Sequence, residues 1–197
     1  MSSPETLVVI LAGGYSSRMG KPKALLSYSG KPQYLNLLDL ATELKMPAVI
    51  SCREEQMHEF SEVNLLPDDA EFQGHGPISG LLSSHKQFPQ SDILLLGCDY
   101  PLLTAKHLQS LLSPHCSHSS AVCWKKKNAP KPEPMPAFYK VEALKEIKKR
   151  FEHGSYSLSE YLTGNGVHLI EAASNADFLR SIDNPEDYRN IVDNLNN

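Results

Sequence analysis

Two adjacent glycines followed closely by three basic residues suit chemistry on phosphates. The stretch reads Leu11-Ala-Gly-Gly-Tyr-Ser-Ser-Arg-Met-Gly-Lys-Pro-Lys23. Gly13 and Gly14 lack Cβ atoms, so backbone amides there can approach an anion closely. Successive amides in such a turn form a nest for phosphate oxygens. Arg18 adds a planar fork of donors, and Lys21 and Lys23 add point charges. The combination describes a cradle for a nucleoside triphosphate. The bland alternative is a strand-to-loop turn with solvated cations, and three clustered basic residues weigh against it. A P-loop does not fit, because five residues separate Gly14 from Gly20 and Pro22 follows Lys21. No G-x-G-x-x-G is present, so the dinucleotide fingerprint is absent too.

Four acidic residues complete the chemical candidates. Asp99 directly follows the apolar run Asp92-Ile-Leu-Leu-Leu-Gly97 and Cys98. An acid just beyond a buried parallel strand points into the crevice where α/β sheets bind ligands, and a carboxylate suits a hard cation. Thr104 is the better cap for the helix that follows, which frees Asp99 from that role. Asp68-Asp69 follows another strand, where an acid can accept from ribose hydroxyls or base N–H groups, or simply favour a turn. Asp183 precedes Pro185, and its type and place alone read as an Asx-type turn before a helix.

These residues need elements to position them. Leu7–Leu11 and Asp92–Gly97 read as buried strands, Ala48–Ser51 as a short strand and Asn64–Pro67 as an edge strand. Ala121–Trp124 and Val167–Ala172 supply two more. Helical spacing falls on Gln33–Leu44, Ile78–Phe88, Ala105–Leu112 and Val141–Phe151. A charged segment from Cys52 to Gln56 leads toward a helix, Gly154–Leu158 opens a short one, and a last helix starts at Pro185. Lys23–Pro32 is an irregular link. Ser113–Ser120, with His115, Cys116 and His118, reads as a surface loop, since its ligands are too close in sequence for a transition-metal site. Lys125–Pro136 holds four prolines and reads as irregular; its lysines are either solvated or steer an anionic second substrate. Alternating strands and helices predict a three-layer, Rossmann-like α/β fold: one domain over residues 1–197, with a mostly parallel sheet and helices on both faces.

Composition narrows the function. The chain has 197 residues, enough for one buried core, and a formal net charge of -4. Nucleic acid and anionic membrane are poor partners for that charge. No apolar run approaches spanning length, and the Met1-Ser-Ser-Pro-Glu5 start lacks signal-peptide regions, so a cytoplasmic protein is expected. Cys52, Cys98, Cys116 and Cys123 have no C-x-x-C spacing and read as free thiols.

Leu11 to Lys23 resembles the signature L-A-G-G-x-S-x-R-M-G-x-x-K of nucleotide-diphospho-sugar transferase-like nucleotidyltransferases, in the branch of molybdenum cofactor guanylyltransferases. Gly76-Pro-Ile-Ser-Gly80 resembles the family's G-P-x-x-G, ahead of which the family carries an Asp at a spacing that favours Asp69 over Asp68; Cys98-Asp-Tyr-Pro101 resembles its C-D-x-P, and Met135–Tyr139 its short P-x-x-x-x-Y strand. Ser181-Ile-Asp-Asn-Pro-Glu-Asp187 resembles its N-x-N-T-P-E-D, with Ser181 and Asp183 standing where two Asn are usual. The resemblance implies GMP transfer from GTP to molybdopterin, with or without bound molybdenum, and release of pyrophosphate. It implies Arg18, Lys23 and Asp99 as catalytic residues. Leu11, Ala12, Gly13, Gly14, Arg18, Lys23, Ser51, Asp68, Asp69, Gly80 and Asp99 would contact nucleotide, and Asp99 and Asp183 would hold Mg²⁺. Handover of product to molybdoenzymes or cofactor chaperones is implied as well. Gly13 favours GTP: the cytidylyl branch carries Leu-Ala-Ala-Gly, and a missing methyl leaves room for a purine. Cytidylyl transfer to molybdopterin or another small phosphate acceptor is the alternative enzyme. A GTP-binding regulatory protein without turnover is the alternative from another class, and Ser181 is the feature favouring it.

Overall fold

A computed structural model describes residues 5–14, 20–61, 63–113 and 118–196. Its centre is a seven-stranded sheet in the order β3-β2-β1-β4-β6-β5-β7. The strands are β1 (Thr6–Leu11), β2 (Ala48–Cys52), β3 (Leu65–Pro67), β4 (Asp92–Gly97), β5 (Ala121–Lys126), β6 (Ala137–Tyr139) and β7 (Val167–Ala172). All neighbours are parallel except β6, which runs antiparallel to β4 and β5. Every residue of β4 is buried, as expected of a central strand covered on both faces. The chain steps from β1 outward to β2 and β3, then returns to lay β4 on the other side of β1. This reversal opens a crevice at the carboxyl ends of β1 and β4.

Two helical layers cover the sheet. α1 (Gln33–Glu43) and α3 (Ala105–Leu111) lie on one face, packing Tyr34, Leu37, Ala41, Leu108 and Leu111 on Val8, Ile10, Leu94 and Leu96. α2 (Pro77–Gln87), α4 (Val141–Glu152) and the short α5 (Leu158–Tyr161) cover the other, over Leu7, Val9, Ile93 and Leu95. The alternation of Leu7 and Val9 against Val8 and Ile10 is the period-two side-chain reversal of a strand. α6 (Pro185–Asn196) joins Leu26, Tyr28 and Ile182 in a separate cluster through Ile191. No helix among the described residues is long and apolar enough to cross a membrane.

Two expectations change. The segment after Cys52 forms only a short 3-10 helix, Glu54–Glu59. Lys125 and Lys126 are not loop residues: they extend β5, pairing with Glu171 and Ala172 of β7. Partner pairing overrides the weak strand preference of lysine there. His115 and Cys116 lie outside the described residues, and Cys52, Cys98 and Cys123 are free and buried.

Candidate active site

The crevice holds a cavity of about 620 Å³, within the range of small-molecule sites. β1 delivers Leu11, Ala12, Gly13 and Gly14 to its wall. Ala12 N–H donates to Ser51 O at 2.8 Å, which ties the exit of β1 to the end of β2. A Cβ on Gly14 would meet nothing within 4 Å among the described residues. Gly13 differs. A Cβ there would stand 3.3 Å from Cys52 Cα and Arg53 N, so its missing methyl serves close backbone approach to β2 rather than a gap for a purine. Gly80 serves packing too, since a Cβ would lie 2.5 Å from both Leu11 Cδ2 and Ser51 Oγ. It lets the start of α2 rest on the ends of β1 and β2. Pro77 opens that helix at a position where its missing N–H costs nothing.

Asp99 and Lys23 form the charged floor. Lys23 Nζ lies 2.6 Å from Asp183 Oδ1 and 3.9 Å from Asp99 Oδ2. Ser181 Oγ donates to Asp99 Oδ2 at 3.0 Å, and Ile182 N–H donates to the Asp99 carbonyl at 2.9 Å. Thus the segment before α6 is stitched to Asp99, two residues beyond β4. Asp99 Oδ1 is buried with no hydrogen-bond partner among the described residues. Burial pushes the Asp99 carboxyl above its usual range, against the opposing pull of Lys23 and the Ser181 hydroxyl. Burial drives the neighbouring Cys98 thiol far above its ordinary value, which leaves it unsuited to act as a nucleophile.

The two adjacent acids part company. Asp68 lines the cavity and accepts from Ser51 Oγ at 3.1 Å. Burial raises its pKa, with Ser51 and Arg53 opposing. Asp69 turns outward to Lys86 Nζ at 2.8 Å and accepts from Glu71 N–H at 3.0 Å. The Lys86 hydrogen bond holds its carboxyl below the usual range. The preference for Asp69 is therefore corrected: Asp68 faces the cavity and Asp69 does not line it. The reason is register. Asp68 N–H continues the β2–β3 ladder by donating to Cys52 O at 2.9 Å, which sets residue 68 beside the crevice.

Lys23, Ser51, Asp68, Gly80, Asp99 and Asp183 all reach this cavity, together with the Leu11–Gly14 turn. Lys21 is exposed and does not line it, and Arg18 lies outside the described residues. Sequence reasoning missed Arg53, Ser79, Gly97 and Met135 on the wall. Arg53 was within reach of the argument, since it follows β2 as Asp99 follows β4. Met135 gave no chemical signal at all.

A glycine turn, a lysine between two carboxylates and a cavity at the sheet's switch point define the class: an α/β nucleotidyltransferase. The family is narrower. Residues 8–167 match the model of the MobA-like NTP transferase domain, and the chain belongs to that family. It is 29% identical over 185 residues to the molybdenum cofactor guanylyltransferase of Pseudomonas entomophila, covering 93% of this chain and 96% of that one. It is also 29% identical to a molybdenum cofactor biosynthesis bifunctional protein of Synechocystis, spanning 52% of that protein's length and 93% of its own. The fold matches molybdopterin-guanine dinucleotide biosynthesis protein A of Archaeoglobus fulgidus with a TM-score of 0.74 at 19% identity, over 96% of this chain and 98% of that one.

Proposed function

We propose that this protein transfers GMP from GTP to the phosphate of molybdopterin, releasing pyrophosphate. The observation that carries the reading is the Lys23–Asp99–Asp183 cluster on the cavity floor, beside the Ala12–Gly14 turn. An oxygen of the acceptor phosphate attacks the α-phosphorus of GTP, and the bond to the β-phosphate oxygen breaks. The attacking oxygen is already anionic, so no general base is needed. The obstacle is bringing two anions together, which calls for positioning and neutralised charge. Lys23 supplies a cation to the triphosphate, and the Gly13–Gly14 turn allows its backbone to come close. Asp68, held by Ser51, accepts from the N1–H and N2–H₂ groups of guanine, a pair that cytosine does not present. Such a site discriminates by roughly 10⁴, because the wrong base leaves buried groups unpaired.

The residues fit a divalent cation such as Mg²⁺. Asp99 Oδ1 is a buried acceptor without a hydrogen-bond partner among the described residues, and Asp183 is joined to the same lysine as Asp99. Among the described residues no group of three or more His, Cys, Asp or Glu side chains is gathered for a metal. That matches Mg²⁺, which commonly takes one or two carboxylates and completes its shell with phosphates and water. Asp99 and Asp183 would hold the ion, which when bound would neutralise charge on the phosphates. Arg18 is proposed to add a further cation to the same phosphates. The product would pass to molybdoenzymes or cofactor chaperones in the cytoplasm.

The test is incubation with molybdopterin, Mg²⁺ and either GTP or CTP, with chromatography of products and a pyrophosphate assay. A guanine dinucleotide formed at least a hundredfold faster than its cytosine counterpart is expected. Preference for CTP would move the protein to cytidylyl transfer, and GTP binding without pyrophosphate release would make it a binding protein.

A further inference from the structure

Ser181 stands where the resembled motif has Asn, and on sequence alone it keeps open the alternative of a binding protein without turnover. Its surroundings say otherwise. The Ser181 hydroxyl donates to Asp99 Oδ2 at 3.0 Å, and the next residue's N–H donates to the Asp99 carbonyl at 2.9 Å. Main chain and side chain are thus gripped by the same two-residue segment. On the other side, the Asp99 carboxylate is packed against Gly97. A Cβ on Gly97 would lie only 2.6 Å from Asp99 Oδ1, so glycine is what lets that oxygen sit where it does. The two contacts fix opposite oxygens of one carboxylate. Oδ2 is turned toward Ser181 and Lys23, at 3.0 Å and 3.9 Å. Oδ1 is left buried without a hydrogen-bond partner among the described residues.

A hydroxyl donates one hydrogen bond and no more. It therefore satisfies one oxygen of Asp99 and leaves the other lone pairs available. Buried acceptors are ordinarily paired, and an exception asks for an explanation, a bound ion being one. We infer that Ser181 is a positioning residue: with Gly97 it orients the Asp99 carboxylate so that Oδ1 is presented to the divalent cation that accompanies the nucleotide. The inference rests on the metal role given to Asp99 above. Partners that orient a metal-binding carboxylate typically alter metal affinity by 10–100-fold when removed.

The experiment is a coupling measurement by calorimetry. The affinity for GTP, or for CTP if the wild-type protein binds it more tightly, is measured with Mn²⁺ and again in excess EDTA. The ratio reports how far metal and nucleotide reinforce each other at the site. Ser181→Ala should cut that ratio about tenfold and leave the metal-free affinity within twofold, and Ser181→Thr should restore it. A packing defect would instead lower both affinities together and would not separate them. An unchanged ratio in Ser181→Ala, or equal losses with and without metal, would overturn the inference. Asp99→Asn separates this outcome from failure of the underlying assignment. If Asp99→Asn keeps the wild-type ratio, Asp99 does not hold the metal. If Asp99→Asn collapses the ratio toward one while Ser181→Ala keeps it, the metal role stands and the positioning role of Ser181 fails.

Discussion

The sheet is built differently on the two sides of β4. Toward β1, β2 and β3 every pairing is parallel, and three strand ends converge on one cavity wall: the Leu11–Gly14 turn, Ser51 with Arg53, and Asp68. Glycines at 13 and 80 press these pieces together with almost no slack. Toward β6, β5 and β7 the antiparallel β6 brings its amino end to the crevice, behind the proline-rich segment. There the contacts are looser and charged: Lys126 Nζ lies 3.4 Å from Glu133 Oε1, and Tyr100 Oη lies 3.4 Å from Glu133 Oε2. The contrast suggests a division of labour. A tight wall suits the nucleotide, whose shape is fixed, and a looser charged wall suits a second anion. Asp99 stands at the seam.

That contrast can be broken at the seam first. Asp99→Asn should reduce turnover by roughly 10²–10⁴ with either substrate saturating, as loss of a metal-binding carboxylate does. Steady-state rates with near-wild-type melting would check it, and an undiminished Mg²⁺-dependent rate would contradict the assignment. Next, Lys23→Ala should lower kcat about 10²-fold and weaken GTP binding, since its charge matters most as the phosphates reorganise. Single-turnover rates and calorimetry separate the two effects, and no change in either would leave Lys23 a mere partner of Asp183.

The nucleotide wall is sharpened by its paired acids. Asp68→Asn should weaken GTP about 10–100-fold, from the loss of a charged hydrogen-bond acceptor, while Asp69→Asn leaves it unchanged. The sign with pH follows from the raised carboxyl of Asp68. GTP binding is complete while Asp68 is ionised and fades as pH falls through that raised value, ahead of ordinary carboxylates. A carboxyl raised in the folded state opposes folding once it ionises. Asp68→Asn should therefore not lower the melting temperature at neutral pH. The smallest effect is expected on the looser wall. Lys126→Ala should raise the KM for molybdopterin a few-fold, more at low salt, with the KM for GTP unaltered. An equal change in both KM values would erase the proposed division.

The parallel half was readable from sequence because its signals are local. An apolar run ending in Gly-Gly, and another ending in Cys98-Asp99, each state a strand and its exit. The central sheet, the helix spans and the seam residue followed from them. What stayed hidden depends on register. Asp68 and Asp69 are chemically identical, and only the bond from Asp68 N–H to Cys52 O decides which turns inward. Lys125 and Lys126 looked like a solvated run because the strand that pairs with them lies some 45 residues further on. Ser181 looked like a defect because its partner, Asp99, is 82 positions away.

Lys23 and Asp183 are 160 residues apart, yet they touch on the cavity floor. A ribosome adding 5–20 residues per second therefore delivers Asp183 roughly 10–30 s after Lys23. For that interval the growing chain owns a glycine turn and a lysine but no finished floor. The proposed competence to hold a metal–nucleotide pair thus arrives abruptly, once the segment around Asp183 has been made. Arrested chains ending before Ser181 should show none of the metal-dependent gain in GTP affinity, which filter binding of ribosome complexes would reveal.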